Sequence, residues 1–371
     1  MAVISYKCPN CDGELIFDPA TQNFKCEYCT SMFSRKELEK MKPDTAAEQQ
    51  SDGIDAEPFA ETETAEDLGE EAAERAGEQR AEEGMIYICP SCGAEVVTDS
   101  TTAATFCYYC HNPVVLSGRL SGEFLPDKVI PFAIDRKQAE TKFLDYVHKK
   151  KFVPRAFFRR QQIEMLSGVY FPYWIYECTM EGTMDAQGTN IRVWRSGETE
   201  YTETKYYQVE REGTIELRNL SRNALKKANQ QLAEGVFPYD MNKAEEFHMG
   251  YLSGFQAEKR DMEQEMFDGE IDQEVRNYGR QMLRDTISGY SGVTVSSHNL
   301  RTVSEKWSYM LLPVWTLTYN GRNGKFYYYS MNGQTGKVYG ELPIDYKKVF
   351  LFGGMVALIL LLLFLIGGYL I

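Results

Sequence analysis

Two stretches with four cysteines each constrain this chain most. Residues 6–29 and residues 87–110 both contain two C-x2-C pairs separated by fourteen residues. A C-x2-C pair in a tight turn points two thiolates at one tetrahedral ion, and a second pair completes the set. Because four sulfur ligands leave no open coordination position, we expect two structural Zn2+ ions and no catalytic one. The predicted ligands are Cys8, Cys11, Cys26 and Cys29 in the first stretch and Cys89, Cys92, Cys107 and Cys110 in the second.

The two stretches also match outside their cysteines, at a constant offset of 81 residues. Tyr6 corresponds to Tyr87 and Asp18 to Asp99, which indicates an internal duplication. Iron in place of zinc, or disulfides as in a secreted domain, are the alternative interpretations. The N-terminal residues lack the apolar region of a signal peptide, which favours a reducing cytosol and therefore metal. The ninth cysteine, Cys178, lies in an apolar run and is expected to be a buried free thiol.

An acidic segment separates the two cysteine stretches. Residues 43–84 contain fifteen Asp and Glu against two Arg, which accounts for nearly all of the formal net charge of -14. Such a segment buries too little apolar surface to offset the entropy lost on ordering. We predict a disordered, self-repelling linker over residues 41–84 that holds the first cysteine module ahead of the body. A partner-binding acidic tract is the alternative.

The last residues are purely apolar. Residues 349–371 carry no charge, and as a helix rising about 1.5 Å per residue they would span roughly 35 Å, enough for a bilayer core. Lys347 and Lys348 precede this run, and the positive-inside rule places them in the cytoplasm. We predict a tail-anchored, single-pass protein of the cell membrane with its N-terminal body cytoplasmic.

The remaining residues, 119–345, are predicted to form an α+β body with antiparallel strands. Asp135 is placed to cap a helix that contains an apolar face. Tyr, Thr and Val enrichment predicts strands, with turns at Gly197 and Gly213. The helix face consists of Ala139, Phe143, Leu144 and Val147; strands are expected in 168–182, 191–217 and 306–342, and helices over about 221–234, 243–265 and 270–288.

No motif in the sequence supports catalysis. The four histidines form no H-E-x-x-H helix, and no G-x-S-x-G elbow accompanies them. The run NGQTGKV at 332–338 lacks the glycine spacing and the Ser or Thr of a phosphate-binding loop, so we interpret it as a hairpin turn. We therefore expect the protein not to be an enzyme, although a triad assembled from distant positions would be invisible in sequence.

One basic cluster lies at residues 148–160. Its three lysines and three arginines are interleaved with phenylalanines. This mixture suits anionic lipid headgroups, or nucleic acid with base stacking. The simpler interpretation is a helix end with basic residues in its last turn, followed by core phenylalanines.

Residues 85–345 resemble a bacterial group of zinc-ribbon membrane proteins. The second cysteine module carries the resemblance together with the runs GVYFPYW, SGETEYTET, YLSGFQAEK and LLPVWTLTYNGRNGKFYYYSMNGQTGKVYGELP. The ribbons of this group are similar to those of transcription factor IIB. The resemblance implies a zinc ribbon, an α+β body and membrane attachment, without an established reaction. Some similar proteins are encoded beside a phage-shock-protein-A homologue and a flotillin-like protein, which implies partners of these kinds and a role in envelope stress.

These observations divide the chain into five segments. They are zinc ribbon 1 at 1–40, the acidic linker at 41–84, zinc ribbon 2 at 85–118, the α+β body at 119–345 and the transmembrane anchor at 346–371. Two functions remain: a membrane-anchored adaptor that binds proteins, and a membrane-tethered factor that binds nucleic acid. Residues 1–40 contain five bases and six acids, and residues 85–119 contain one base and two acids. Binding to phosphates needs an excess of Lys and Arg, so the charge favours the adaptor.

Overall fold

A computed structural model of the chain describes residues 3–41, 44–45, 85–89, 95–107, 113–154, 165–228, 230–320 and 326–369. The fold is α+β, with antiparallel and mixed sheets and one apolar helix near the C-terminus. This confirms the predicted fold class in its coarse form. Most of the acidic linker and Cys92, Cys110 and His111 lie outside the described residues.

The first cysteine module is a small three-stranded sheet followed by one helical turn. Its strands β2, β3 and β4 pair in that order, and Ser34 caps helix α1 in a capping box with Glu37. Two flanking strands, β1 and β5, pair with each other outside this small sheet. The bounds are β1 Val3–Ser5, β2 Leu15–Asp18, β3 Asn23–Cys26, β4 Met32–Phe33, α1 Arg35–Leu38 and β5 Asp44–Thr45.

The second cysteine module is divided between two sheets. Strands β6 and β7 pair with each other, whereas β8 and β9 join the main sheet of the body. Strand β9 also pairs with β1, so the two modules are connected through backbone hydrogen bonds. The bounds are β6 Met85–Ile88, β7 Glu95–Thr98, β8 Thr102–Phe106 and β9 Pro113–Leu116, followed by 3-10 turns at Ser117–Arg119 and Gly122–Phe124.

The body is built on a twelve-stranded sheet with three very long strands. Strand β11 has 30 residues and pairs with β12 on one side and β15 on the other. The body elements are β10 Lys128–Val129, α2 Arg136–His148, β11 Ser167–Ser196, β12 Thr199–Asn223, α3 Gln230–Gly235, β13 Glu245–Glu246, β14 Gln256–Glu258, α4 Asp268–Asp285, β15 Gly292–Asn320, β16 Phe326–Asn332, β17 Val338–Gly340 and α5 Tyr346–Tyr369, with 3-10 turns at Met241–Lys243, Met249–Leu252 and Gln264–Met266.

The core lies on both faces of this sheet near the start of β11. Alternation along the strand sends Tyr170 and Trp174 to one face and Tyr173 and Ile175 to the other. The first face stacks Phe132 on Phe255, with ring centroids 4.2 Å apart. The predicted helix cap is confirmed, because Asp135 Oδ1 accepts a hydrogen bond from the Gln138 backbone at 2.8 Å.

The three long strands continue as an arm, which we define as residues 178–217 and 292–305, and whose buried side chains extend the same hydrophobic cluster. Helix α4 covers one face of the arm with Ile271, Val275, Gly279 and Leu283, all buried. Past the pairing of Thr189 with Gly292, only β11 and β12 continue. We call this two-stranded end, residues 189–206, the tip. At about 3.3 Å per residue, the 30 residues of β11 run roughly 100 Å from its first residue to its last.

Some of the predicted elements of the body are wrong and others are confirmed. Gly213 lies inside β12, paired with Gly182, and makes no turn, whereas Gly197 does turn the hairpin, with a φ of 64°. Residues 243–265 hold two short strands and 3-10 turns in place of the expected helix. The run at 332–338 is a hairpin turn as predicted, joining β16 to β17.

Helix α5 is long and apolar enough to cross a membrane over Tyr346–Leu363, and no other helix among the described residues is. Its side chains are exposed wherever the structure describes them within that span, apart from partly covered residues in the first turn. Exposure of so many Leu, Ile, Val and Phe side chains to water would be strongly unfavourable. This agrees with the predicted anchor.

Candidate metal centre

The four cysteines of the first module come together at one point. Their sulfur atoms all lie within 4.8 Å of one another, with Cys8 and Cys29 at 3.5 Å and Cys11 and Cys26 also at 3.5 Å. A tetrahedral ion with metal–sulfur bonds of about 2.3 Å separates its sulfurs by about 3.8 Å, so this donor set fits a zinc-sized ion. The same distances exclude disulfides, whose sulfurs lie about 2.05 Å apart.

Two similar backbone turns produce this geometry. The Cys8 carbonyl accepts from the Asp12 amide at 2.8 Å, and the Cys26 carbonyl accepts from the Thr30 amide at 3.0 Å. Asp12 and Thr30 both have left-handed backbones, with φ of 62° and 60°. An L residue adopts this region at a cost, so each turn is held by its surroundings. The sequence spacing predicts the two turns but not these two residues.

Neighbouring groups alter the acidity of the thiols. Hydrogen bonding with the Ser31 side chain and backbone lowers the pKa of the Cys29 thiol to about 6, which favours the thiolate that binds metal. Burial raises the pKa of the Cys8 thiol. Gly13 faces the site closely, because a Cβ there would lie 2.6 Å from a Tyr28 ring carbon and 3.1 Å from Cys26 Sγ. A side chain at position 13 would therefore push the exposed Tyr28 ring aside and press on the Cys26 sulfur.

The second module shows half of its predicted ligand set. Cys89 and Cys107, which correspond to Cys8 and Cys26 at the offset of 81, are buried at the ends of β6 and β8. Cys92 and Cys110 lie outside the described residues. Cys178, predicted to be a free thiol, is buried in β11. Burial raises the pKa of the Cys178 thiol.

The first module lies against the body, which differs from the predicted detached position. Ser253 Oγ donates to the Leu15 carbonyl at 2.5 Å, and the Phe17 amide donates to the Ser253 carbonyl at 3.0 Å. Phe17 also packs edge-on against Tyr251, with centroids 5.1 Å apart. The packing of these aromatic rings holds the first module on the body, against the freedom of movement that the linker would allow it. The four-cysteine cluster therefore lies in a module that is packed on the body.

Ion pairs join the second module to the body. Lys227 Nζ lies 2.5 Å from Asp99 Oδ2 and 3.0 Å from Glu258 Oε2, and Thr101 donates to the same Glu258 at 2.7 Å. Burial raises the pKa of the Asp99 carboxyl, but the Lys227 ammonium and hydrogen bonds from Thr102 outweigh it and hold that pKa well below its ordinary value. Burial raises the pKa of Glu258.

The tip of the arm is a second candidate site that the sequence analysis missed. Ile191, Val193 and Tyr206 are exposed, and so are Trp194 and Tyr201, whose rings stack with centroids 5.6 Å apart. Register divides these side chains between two faces of the tip, because Trp194 pairs with Tyr201 and Val193 with Thr202. The sequence signal that could have revealed the tip is the long alternation of β-branched and aromatic residues around the single turn at Gly197.

Fold and site together define a class: an α+β protein with a four-cysteine cluster able to hold a metal ion, a long β arm and one helix able to span a membrane. The chain is 30% identical over 347 residues to "Uncharacterized protein YdjG" of Bacillus subtilis (strain 168), a match covering 94% of this chain and 92% of that protein. It therefore belongs to the YdjG family. No family model and no solved structure matches the chain.

Proposed function

We propose that this protein is a membrane-anchored adaptor that binds protein partners at the cytoplasmic face of the cell membrane. The observation that carries the proposal is the exposed apolar and aromatic surface of the tip at the far end of the arm. Isolated two-stranded ribbons are marginal in water, so a long one with exposed Trp and Tyr is suited to a partner that covers it.

The charge of the tip favours a protein over nucleic acid. Residues 189–206 contain three basic and three acidic residues, and Arg195 already pairs with Glu200 at 3.1 Å. A nucleic-acid-binding surface needs unpaired cations that release counterions. A mixed surface with Trp, Tyr and Arg matches the composition of protein interfaces.

The cysteine modules support the adaptor as structural units. In this proposal each holds one Zn2+, the first through Cys8, Cys11, Cys26 and Cys29 and the second through Cys89, Cys92, Cys107 and Cys110. The four-sulfur set offers no coordination position for substrate, so the zinc would stabilise the fold and take no part in chemistry. Lys347 and Lys348 at the start of α5 support a cytoplasmic body.

The test removes the two exposed aliphatic side chains from one face of the tip while keeping its strand propensity. Ile191→Thr with Val193→Thr should abolish recovery of the partner when the full chain is purified from native membranes after crosslinking. A phage-shock-protein-A-like or flotillin-like protein, identified by mass spectrometry, is the expected partner. Val303→Thr is the matched control, because Val303 is an equally exposed valine on β15, away from the tip.

Recovery of the same partner in equal amount with the tip variant would contradict the proposal. Salt-sensitive retention of DNA or RNA by the purified full chain at physiological ionic strength would favour the nucleic-acid alternative. Membrane fractionation of both variants confirms that anchoring is unchanged, so a lost partner reflects the tip alone.

A further inference from the structure

A cavity of about 440 Å3 lies where the body meets the anchor helix. Its walls come from the end of α2 with the residues after it, and from the segment between β17 and α5. The lining residues are Tyr146, Lys149, Lys150, Lys151, Phe152, Val153, Gly340, Leu342, Pro343 and Ile344.

Direct contacts join one wall of this cavity to helix α5. The Asp345 amide donates to the Phe152 carbonyl at 2.7 Å, and Lys348 Nζ donates to the Val153 carbonyl at 2.6 Å. The Phe152 and Phe352 rings meet edge-on, with centroids 5.6 Å apart. Since Phe352 belongs to the apolar span, the cavity lies beside the beginning of that span.

The cavity is strongly cationic. Lys149, Lys150 and Lys151 line it, and Lys347 and Lys348 follow in the first turn of α5, whereas the acidic residues of the adjoining segment, Glu341 and Asp345, are not among the lining residues. Within the part of the chain that the structure describes, none of the five ammonium groups lies within 4.0 Å of a carboxylate oxygen. Lys150 Nζ lies 5.3 Å from the centroid of the Tyr146 ring, in a cation–π contact.

The rest of the lining is largely apolar. It includes Val153, Leu342, Pro343 and Ile344. A free phosphate ion would gain nothing from these apolar side chains and would meet ammonium groups that are well hydrated. An anionic lipid presents a phosphate diester to the lysines and the glycerol and first methylenes of its chains to the apolar residues.

We infer that this cavity binds the phosphate headgroup of an anionic lipid, such as phosphatidylglycerol, in the leaflet next to the body. The inference rests on the proposed function only in taking α5 as a membrane anchor. A lipid bound here would contact both the end of α2 and the start of α5, and so would fix the tilt of the body against the bilayer.

The test uses the full chain in nanodiscs that contain equal amounts of phosphatidylglycerol and phosphatidylcholine. Native mass spectrometry of the released protein should show phosphatidylglycerol retained over phosphatidylcholine by at least about fivefold, the change expected for one lysine at an anionic surface. The triple variant Lys149→Gln, Lys150→Gln and Lys151→Gln should retain both lipids equally. A matched control, Lys128→Gln with Lys243→Gln and Lys306→Gln, removes three exposed lysines elsewhere and should behave as wild type.

Three outcomes would overturn the inference. Equal retention of both lipids by the wild-type chain is the first. The second is unchanged phosphatidylglycerol selection in the triple variant. The third is binding of inorganic phosphate in lipid-free detergent with no preference among lipids. Incorporation into nanodiscs is scored separately. If the chain inserts but does not select a lipid, only the lipid-binding inference is contradicted. If the chain fails to insert, the proposal that α5 is a membrane anchor is contradicted as well.

Discussion

Single residues decide how much of the site the sequence can predict. The cysteine spacing predicted the four-sulfur cluster of the first module, because ligand geometry depends on local turns. Asp12 and Thr30 in left-handed turns, and Ser31 beside Cys29, had no such pattern. Their roles depend on backbone conformations and hydrogen bonds inside these turns, and the C-x2-C spacing does not specify them.

The Asp99–Lys227 pair makes stability depend on pH. The pKa of the Asp99 carboxyl in the folded chain lies below its unfolded value of about 3.9. The contribution of this carboxylate to the free energy of unfolding is therefore present above about pH 4 and is lost as the pH falls toward the folded pKa. Asp99→Asn should lower the free energy of unfolding by about 1 kcal/mol at pH 7, a value reduced by partial exposure.

The measurement is thermal unfolding of wild type and Asp99→Asn from pH 7 to pH 2. The gap in Tm should be constant near neutrality, begin to narrow near pH 4 and keep narrowing down to pH 2, because the folded-state pKa of Asp99 lies well below its ordinary value. Glu200→Gln, which breaks an exposed pair on the tip, should give almost no gap at any pH. A gap that does not narrow between pH 5 and pH 2 would show that Asp99 contributes independently of its charge.

At the scale of elements, the sequence predicted strand character but not strand length. The alternation around Gly197 gave the hairpin correctly, and Gly213 suggested a break that does not exist. Gly213 pairs with Gly182 across the two strands, and Gly182 is the residue that lies against Leu283 of α4. Leu283 is 101 residues further along the chain than Gly182, so this contact is tertiary and local propensity does not contain it.

Gly182 is the contact point that lets α4 lie on the arm. A Cβ there would come within 2.8 Å of both Leu283 and Leu300, whereas a Cβ on Gly213 would meet nothing within 4 Å. Gly182→Val should lower the free energy of unfolding by about 1 to 3 kcal/mol by overpacking this face.

Gly213→Val is the paired control and should be neutral or slightly stabilising, since valine favours strands. Denaturant unfolding of both variants, followed by far-UV circular dichroism, measures the difference. Equal loss of stability in the two would mean that the strand itself, and not the helix above it, requires glycine.

For the whole molecule, the largest difference from expectation is that the first module packs on the body. Phe17 and Phe24 read as ordinary hairpin residues in sequence, yet both rings pack against Tyr251. Strand β1 also pairs with β9 of the second module. The linker charge predicted separation, but it says nothing about apolar surfaces outside the linker.

Loss of one ligand should therefore loosen the body as well as the module. Cys26→Ser should remove one equivalent of metal per chain, measured by elemental analysis, because the thiolate set is incomplete. Amide exchange should then rise at residues 249–255, which pack on the module, while residues 308–312 stay protected in the core.

Cys178→Ser is the control, since that buried cysteine lies apart from the cluster. It should keep the full metal content and the wild-type exchange at residues 249–255. Unchanged exchange at 249–255 in Cys26→Ser, despite the lost metal, would mean that the module docks without its ion.

The long strands also set an order of events during synthesis. Residue Ser167 of β11 pairs with Thr316 of β15, so the sheet cannot close until the ribosome has made almost all of the body. Contacts so distant in sequence form slowly and leave strand edges exposed meanwhile. Helix α5 begins at Tyr346, 26 residues after β15 ends at Asn320, so it leaves the ribosome at about the time the sheet becomes able to close. If α5 inserts into a membrane, insertion and completion of the fold are therefore close in time.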